Sequence, residues 1–129
     1  MLDVKALINK LLEAVSVDYI VEEGTSGNWT YRKWNSGIAE CWGRHQYSTT
    51  GTTGWGNIYY NTPTATVYYP SSLFIEEPVA TAIQTANGIQ GMLTVSRSTD
   101  TSLTVYNSRG ASSGSGTLYF SIHAIGKWK

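Results

Sequence analysis

Residues 29–43 read WTYRKWNSGIAECWG and carry a clear local signal for β structure. Polar and apolar side chains alternate along residues 29–34 and 38–43, which is the period of a β-strand. Between them, residues 35–37 (Asn-Ser-Gly) have the composition of a tight hairpin turn. The stretch therefore predicts two antiparallel strands that are joined by a short turn.

Four aromatic residues of this hairpin are expected to come close together when the turn closes: Trp29, Tyr31, Trp34 and Trp42. Cross-strand aromatic pairs stabilise a hairpin by a few tenths of a kcal/mol to about 1 kcal/mol each. The cluster is predicted to pack in the core or against a neighbouring subunit. A platform for stacking glycans is the alternative, because Trp and Tyr also dominate sugar-binding faces.

The two-residue period continues on both sides of the hairpin. Further strands are predicted at residues 18–22, 64–69, 79–85, 92–96, 102–106 and 117–125. Residues 48–56 are rich in Thr and Gly and predict a long loop. About eight short strands separated by turn residues are typical of a β-sandwich or jelly roll. The fold class predicted for residues 17–129 is therefore mainly β, with a sandwich or jelly-roll-like domain.

Residues 1–16 predict a separate N-terminal amphipathic helix, with Asp3 as its N-cap. Its apolar stripe consists of Val4, Leu7, Ile8, Leu11, Leu12, Ala14 and Val15. A helix of this length is marginal in water when isolated, so the stripe needs a partner. The partner is either the β domain of the same chain or a parallel bundle of helices from several copies. The width of the stripe favours three helices over two.

Charge excludes several classes of partner. Nine basic and nine acidic residues give a formal net charge of zero. We therefore expect no nucleic-acid binding, since no basic stripe could neutralise phosphates. The N-terminus has neither a run long enough to span a bilayer nor the pattern of a signal peptide. Synthesis in a cytoplasm, without membrane insertion, is expected.

The sequence gives little support for a catalytic or metal-binding arrangement of residues. Glu40 with Glu22 or Glu76 could form a glycosidase pair, but solvated strand charges are the simpler interpretation. Cys41 and His45 are four residues apart in a strand, about 13 Å, which is too far for a nucleophile and its base. Two histidines are too few for a metal site in one chain, although a ring of three symmetry-related histidines stays open. We expect a non-enzyme without cofactor or metal.

The best candidates for ligand binding follow the Thr- and Gly-rich segment. Trp55 lies between two glycines that would let its indole face reach solvent. Asn57, Tyr59 and Tyr60 could add hydrogen bonds and stacking area for a saccharide. The alternative is that Trp55 packs over a sheet edge or into a neighbouring subunit.

Three stretches carry a resemblance to a known family: DYIVEEGTSG at 18–27, WTYRKWNSGIAECWG at 29–43 and LYFSIHAIGKWK at 118–129. They resemble the C-terminal head domains of bacteriophage fibre and receptor-binding proteins, common in phages and prophages of Gram-positive gut bacteria. The resemblance implies a homotrimeric β head on a shaft. It also implies a virion protein of a tail or capsid fibre, assembled in the host bacterial cytoplasm.

The resemblance further implies attachment to host-surface saccharides and contact with other virion proteins through the N-terminal region. Two alternatives stay open. The first is a purely structural decoration or assembly protein without a receptor. The second is a tip that hydrolyses host polysaccharide.

Overall fold

The computed structural model describes residues 3–15, 17–62, 64–88, 91–110 and 113–129. It confirms a mainly β chain with a short N-terminal helix, α1, at Val4–Val15. The Asp3 carboxylate accepts hydrogen bonds from the backbone N–H groups of Lys5 (3.0 Å) and Ala6 (3.3 Å). The prediction of an Asp3 N-cap is therefore confirmed. Within the described ranges, no helix is long and apolar enough to cross a bilayer.

The β domain that follows contains long and short antiparallel strands. They are β1 (Ile20–Ser26), β2 (Trp29–Trp34), β3 (Ile38–Trp55), β4 (Ile58–Thr62), β5 (Ala65–Tyr68), β6 (Val79–Gly88), β7 (Met92–Ser98), β8 (Ser102–Arg109) and β9 (Ser113–Lys127). The predicted hairpin of residues 29–43 is confirmed, with β2 and β3 in the register Trp29↔Gly43 to Lys33↔Ala39. Gly37 adopts a φ of 100° in its turn, a conformation that favours glycine.

The predicted loop at residues 48–56 is wrong. β3 continues to Trp55, turns at residues 56–57 and returns as β4, a strand that the sequence interpretation missed. Thr- and Gly-rich sequence has a mixed intrinsic preference for strands. Here the backbone of this segment pairs with β9 on one side and with β4 on the other. Distant pairing partners thus override the local composition.

The strands form a sheet that folds into two layers, which are joined where β3 pairs with β4. The first layer has the order β1-β2-β3-β9-β6, and β4 leads from the end of β3 to β8. In the second layer, β8 pairs with β7 along one edge and with β4 and β5 along the other. The core between the layers includes Cys41, Leu103, Val105, Leu118, Phe120 and Ile122. A sandwich-like domain is the result.

A buried polar contact between Asn107 and Gln84 crosses this core. The Asn107 side-chain amide of β8 donates a hydrogen bond to Gln84 Oε1 of β6 at 2.6 Å. Asn107 is almost fully buried, and a buried amide requires such partners. The contact connects the two layers at a fixed position.

The domain has two ends. We call the end that contains the start of β1, the turn at residues 35–37 and Lys127 the base. The opposite end, which carries the β3–β4 turn, is the distal end. At the base, Asp18 accepts hydrogen bonds from the backbone N–H of Ser36 (2.9 Å) and from its hydroxyl. The Ser36 hydroxyl is the main cause that lowers the pKa of Asp18.

Candidate functional site

The predicted saccharide residues lie on the distal β3–β4 hairpin. Trp55 is the last residue of β3 and pairs with Ile58. Gly56 adopts a φ of +62°, in the left-handed region that favours glycine, and Asn57 beside it is exposed. The side chain of Trp55 lies outside the described part of the structure. Two of the candidates therefore lie at a projecting turn rather than in a long loop.

Tyr59 and Tyr60 point to opposite faces of β4, as consecutive strand residues do. The ring of Tyr59 lies across Gly54, where an added Cβ would be 3.6 Å from Cε1 of that ring. The ring of Tyr60 meets that of Tyr106 edge-on, with centroids 5.3 Å apart and an interplanar angle of 79°. Only Tyr60 of these two can therefore contribute to a surface with Tyr106.

Tyr60 and Tyr106 border an open depression of about 340 Å³, together with Thr94 and Ser108. We call these four residues the tyrosine surface. It offers two aromatic rings, two phenol groups and two aliphatic hydroxyls, and none of the four side chains is charged. Such a surface can stack on an apolar sugar face and exchange hydrogen bonds with hydroxyls.

The sequence interpretation missed Thr94, Tyr106 and Ser108. A signal for Tyr106 was available, because Leu103 and Val105 alternate with Thr104 and Tyr106 along β8. Leu103 and Val105 are fully buried, so the alternate residues face outward. The pairing of β8 with β4, which places Tyr106 beside Tyr60, connects segments distant in the sequence.

The four aromatic residues of the β2–β3 hairpin do not occupy a single face. Trp29 is buried and its ring lies 4.3 Å from the ring of His45 and 5.7 Å from that of Tyr69. Tyr31 packs against the same core. Trp42 pairs with Thr30, so it belongs to the outer face, to which the strand period also assigns Trp34. The hairpin therefore divides its aromatic residues between core and surface.

The outer face is lined by paired charges. The Arg32 guanidinium lies 5.1 Å from the centroid of the Trp42 ring and its Nε lies 3.4 Å from the Glu23 carboxylate. Glu40 lies 3.2 Å from His123 Nε2. A shallow depression of about 300 Å³ opens beside Trp42 and His123. This face offers polar and aromatic groups, but each carboxylate named here has a cationic or imidazole partner.

The acids of the predicted glycosidase alternative also have separate partners. Glu22 lies 3.2 Å from Lys33, and Glu76 lies 3.8 Å from Lys127. With Glu40 beside His123, the three carboxylates are each engaged by a different residue. Among the residues that the structure describes, no group of three or more His, Cys, Asp and Glu side chains is arranged to hold a metal ion.

Cys41 and His45 both face the core. Burial, with a smaller contribution from Glu40, raises the pKa of the Cys41 thiol to about 12. Burial lowers the pKa of His45. Cys41 is therefore a protonated thiol at neutral pH, in a place that favours packing over reactivity.

The helix presents its apolar stripe to solvent. Val4, Leu7, Ile8 and Leu11 are between 42% and 61% exposed, so the β domain of the same chain does not cover them. The side chains of the other two predicted oligomerisation residues, Ala14 and Val15, lie outside the described part. The sequence left two partners open for this stripe. The structure does not show the first of them, the β domain of the same chain.

Comparisons with known proteins give a fold but no sequence family. No family model and no curated protein matches the sequence. The structure is similar to an N-truncated R1-type pyocin tail fibre, with a TM-score of 0.57 and 13% identity over 92% of this chain and 94% of that one.

It is also similar to an N-truncated R2-type pyocin tail fibre, with a TM-score of 0.57 and 14% identity. That match covers 98% of this chain and about half (52%) of the other. The fold is therefore one that tail fibres use, as the resemblance to fibre heads predicted. A host among Gram-positive gut bacteria stays a prediction.

Proposed function

We propose that this chain is the head of a phage or phage-tail-like fibre that attaches the particle to saccharides on a bacterial surface. The observation that carries the proposal is the shared fold with pyocin tail fibres over nearly the whole chain. In support, the distal hairpin and the tyrosine surface together present aromatic rings, an exposed amide and hydroxyls. These groups suit sugars, which display apolar ring faces beside hydroxyl groups.

The position of the tyrosine surface supports the proposal. α1 precedes the base, whereas the β3–β4 turn and Tyr60 lie toward the distal end. If the N-terminal region joins a shaft or other virion proteins, the distal end faces away from the particle. A receptor would be met there first.

A binding assay on a panel of purified bacterial surface polysaccharides tests the proposal. Trp55→Ala, Tyr60→Ala and Tyr106→Ala should each weaken binding tenfold or more. Tyr19→Ala is the matched control, because Tyr19 is an exposed tyrosine at the base. If no polysaccharide and no bacterial surface binds the intact chain, the structural decoration protein is the better interpretation. Release of reducing ends that is lost in Glu40→Gln would instead favour the hydrolytic tip.

We also propose that α1 assembles a homotrimer. The exposed apolar stripe needs a partner to be stable in water, and its width suits a bundle of three. Light scattering of the intact chain should give three times the mass of one chain. Leu7→Asp with Leu11→Asp should give a monomer, whereas Asn9→Asp, on the polar face, should not. A monomeric intact chain would contradict the trimer.

A further inference from the structure

A second cavity lies at the base, beside the backbone hydrogen bond from Ile75 to Lys127. It is open to solvent, measures about 570 Å³ and lies between the segment after β5 and the β7–β8 turn. Its lining includes Tyr68, Tyr69, Ser71, Ser72, Ile75 and Asp100. We call it the base cavity. Nothing in the sequence interpretation singled out these residues.

The wall formed by Tyr68 and Tyr69 is held in place from several directions. The Trp29 indole N–H donates to the Tyr68 carbonyl at 2.8 Å, and the Tyr69 N–H donates to the Thr101 carbonyl at 2.9 Å. The Tyr69 hydroxyl lies 3.2 Å from Ser98 Oγ, and its ring meets Phe74 edge-on at 5.2 Å. The Tyr68 backbone and the whole of Tyr69 are therefore held in place before any ligand arrives.

Asp100 lies in the β7–β8 turn, which side-chain hydrogen bonds define. The Thr99 hydroxyl oxygen accepts hydrogen bonds from the N–H groups of Thr101 (3.2 Å) and Ser102 (3.0 Å). The Thr99 N–H donates to the Ser102 carbonyl at 2.9 Å. These bonds fix the backbone on both sides of Asp100, from which the exposed carboxylate extends.

Ser72 occupies a backbone conformation that few serines adopt. Its φ is 59°, in a turn closed by a hydrogen bond from the Leu73 N–H to the Pro70 carbonyl at 3.2 Å. Glycine or asparagine is the usual residue at positive φ in such turns. Strained residues of this kind cluster at ligand-binding sites. Here the serine adds a hydroxyl to the lining of the base cavity.

The lining of the base cavity carries an acidic group and no basic one. Asp100 is its only ionisable group apart from the two tyrosines, and no Lys, Arg or His is among the residues that line it. Tyr68 is 70% exposed and Ile75 is 60% exposed, so both offer apolar area to a ligand. A carboxylate beside an exposed aromatic ring is the combination that attracts ammonium groups.

We propose that the base cavity binds an amino sugar, with its ammonium group near Asp100 and its ring against Tyr68 and Ile75. The serine hydroxyls would pair with sugar hydroxyls. The site goes beyond the proposed attachment function, because it lies at the other end of the domain and uses other residues. The base cavity should also select sugars by their charge. Neutral sugars should bind less well than an amino sugar, and anionic sugars least.

Nuclear magnetic resonance titration of the intact chain tests this inference, with glucosamine, glucose and glucuronate as probes. Glucosamine at tens of millimolar should shift the backbone amide signals of residues 68–75 and 99–101. Glucose should shift the same signals several-fold less, and glucuronate should leave them unchanged. Equal shifts with glucuronate, or no shift with glucosamine, would overturn the proposal.

Three variants sharpen the test. Asp100→Asn should reduce the response to glucosamine to that of glucose, whereas Glu23→Gln, an exposed acid of β1 outside the lining, should not. Ser72→Gly should keep the fold and weaken both responses. Tyr60→Ala should leave the base signals unaffected, so failure of this site and failure of the distal site are separate results. An unchanged preference for glucosamine in Asp100→Asn would contradict the assignment.

Discussion

The inner and outer faces of the β2–β3 hairpin use the same residue types for different purposes. On the inner face, Trp29 is 5% exposed and packs against His45 and Tyr69. On the outer face, Trp42 is half-buried beneath the Arg32 guanidinium. The face of the strand on which a residue lies, and not the residue type, therefore separates packing from surface chemistry.

The largest effect is expected from the inner face. Trp29→Ala removes a buried indole and its hydrogen bond to the Tyr68 carbonyl, so it should lower the free energy of unfolding by about 3–5 kcal/mol. Trp42→Ala is the matched variant on the outer face and should cost about 1 kcal/mol. Chemical denaturation followed by circular dichroism measures both. Equal losses would contradict the division of the hairpin into two faces.

The next effect depends on a close approach of two backbones at the end of the same hairpin. A Cβ on Gly43 would lie 2.2 Å from the carbonyl oxygen of Asn28, which is backbone and cannot turn aside. Gly43→Ala should therefore lower the free energy of unfolding by about 1–3 kcal/mol or more. Gly54→Ala, where the added Cβ meets only the Tyr59 ring at 3.6 Å, should be nearly neutral. A neutral Gly43→Ala would show that β2 and β3 can separate there without loss.

The hairpin shows which parts of the fold could be predicted from local sequence signals. Alternation and turn composition predicted β2, the turn at residues 35–37 and the start of β3, because these signals are local. The length of β3 could not be predicted, since its second half is held by β9 and β4. Composition describes what a segment prefers alone, and not which distant strand pairs with it.

The candidate site residues also differ in whether a local sequence signal could predict them. Asn57 and Tyr60 were predicted as candidates from local cues, because they follow Trp55, an aromatic residue between two glycines. Tyr106 and the base cavity were not, because each depends on two segments that only the fold brings together. The hairpin was also expected to hold one aromatic cluster. The pairing of Trp42 with Thr30, which places Trp42 on the outer face, could not be known from the local sequence.

The inner face should also be sensitive to pH through His45. Its Nε2 is buried and has no hydrogen-bond partner among the described residues, and burial lowers its pKa below the ordinary value of 6.5. As the pH falls through 6.5, the unfolded chain takes up a proton that the folded chain does not. The free energy of unfolding should therefore be steady above about pH 7 and fall below it.

Denaturation curves recorded at several values between about pH 5 and 7, where histidine side chains usually titrate, measure this slope. His45→Phe keeps a ring of similar size and should flatten the slope. A slope that survives in His45→Phe would assign the pH dependence to other groups.

The smallest effect is expected from the outer face. Arg32→Gln removes the guanidinium that lies over Trp42 and beside Glu23, both of which remain accessible to water. Exposed pairs of this kind contribute about 0.5–1 kcal/mol, and salt screens their ionic part. The loss should therefore shrink between low and high salt, whereas the loss in Trp29→Ala should not. Arg44→Gln, an exposed arginine on the same face of β3, should be near zero throughout. If Arg32→Gln instead costs as much as Trp29→Ala at every salt concentration, Arg32 is part of the core packing and the outer face is not the weaker one.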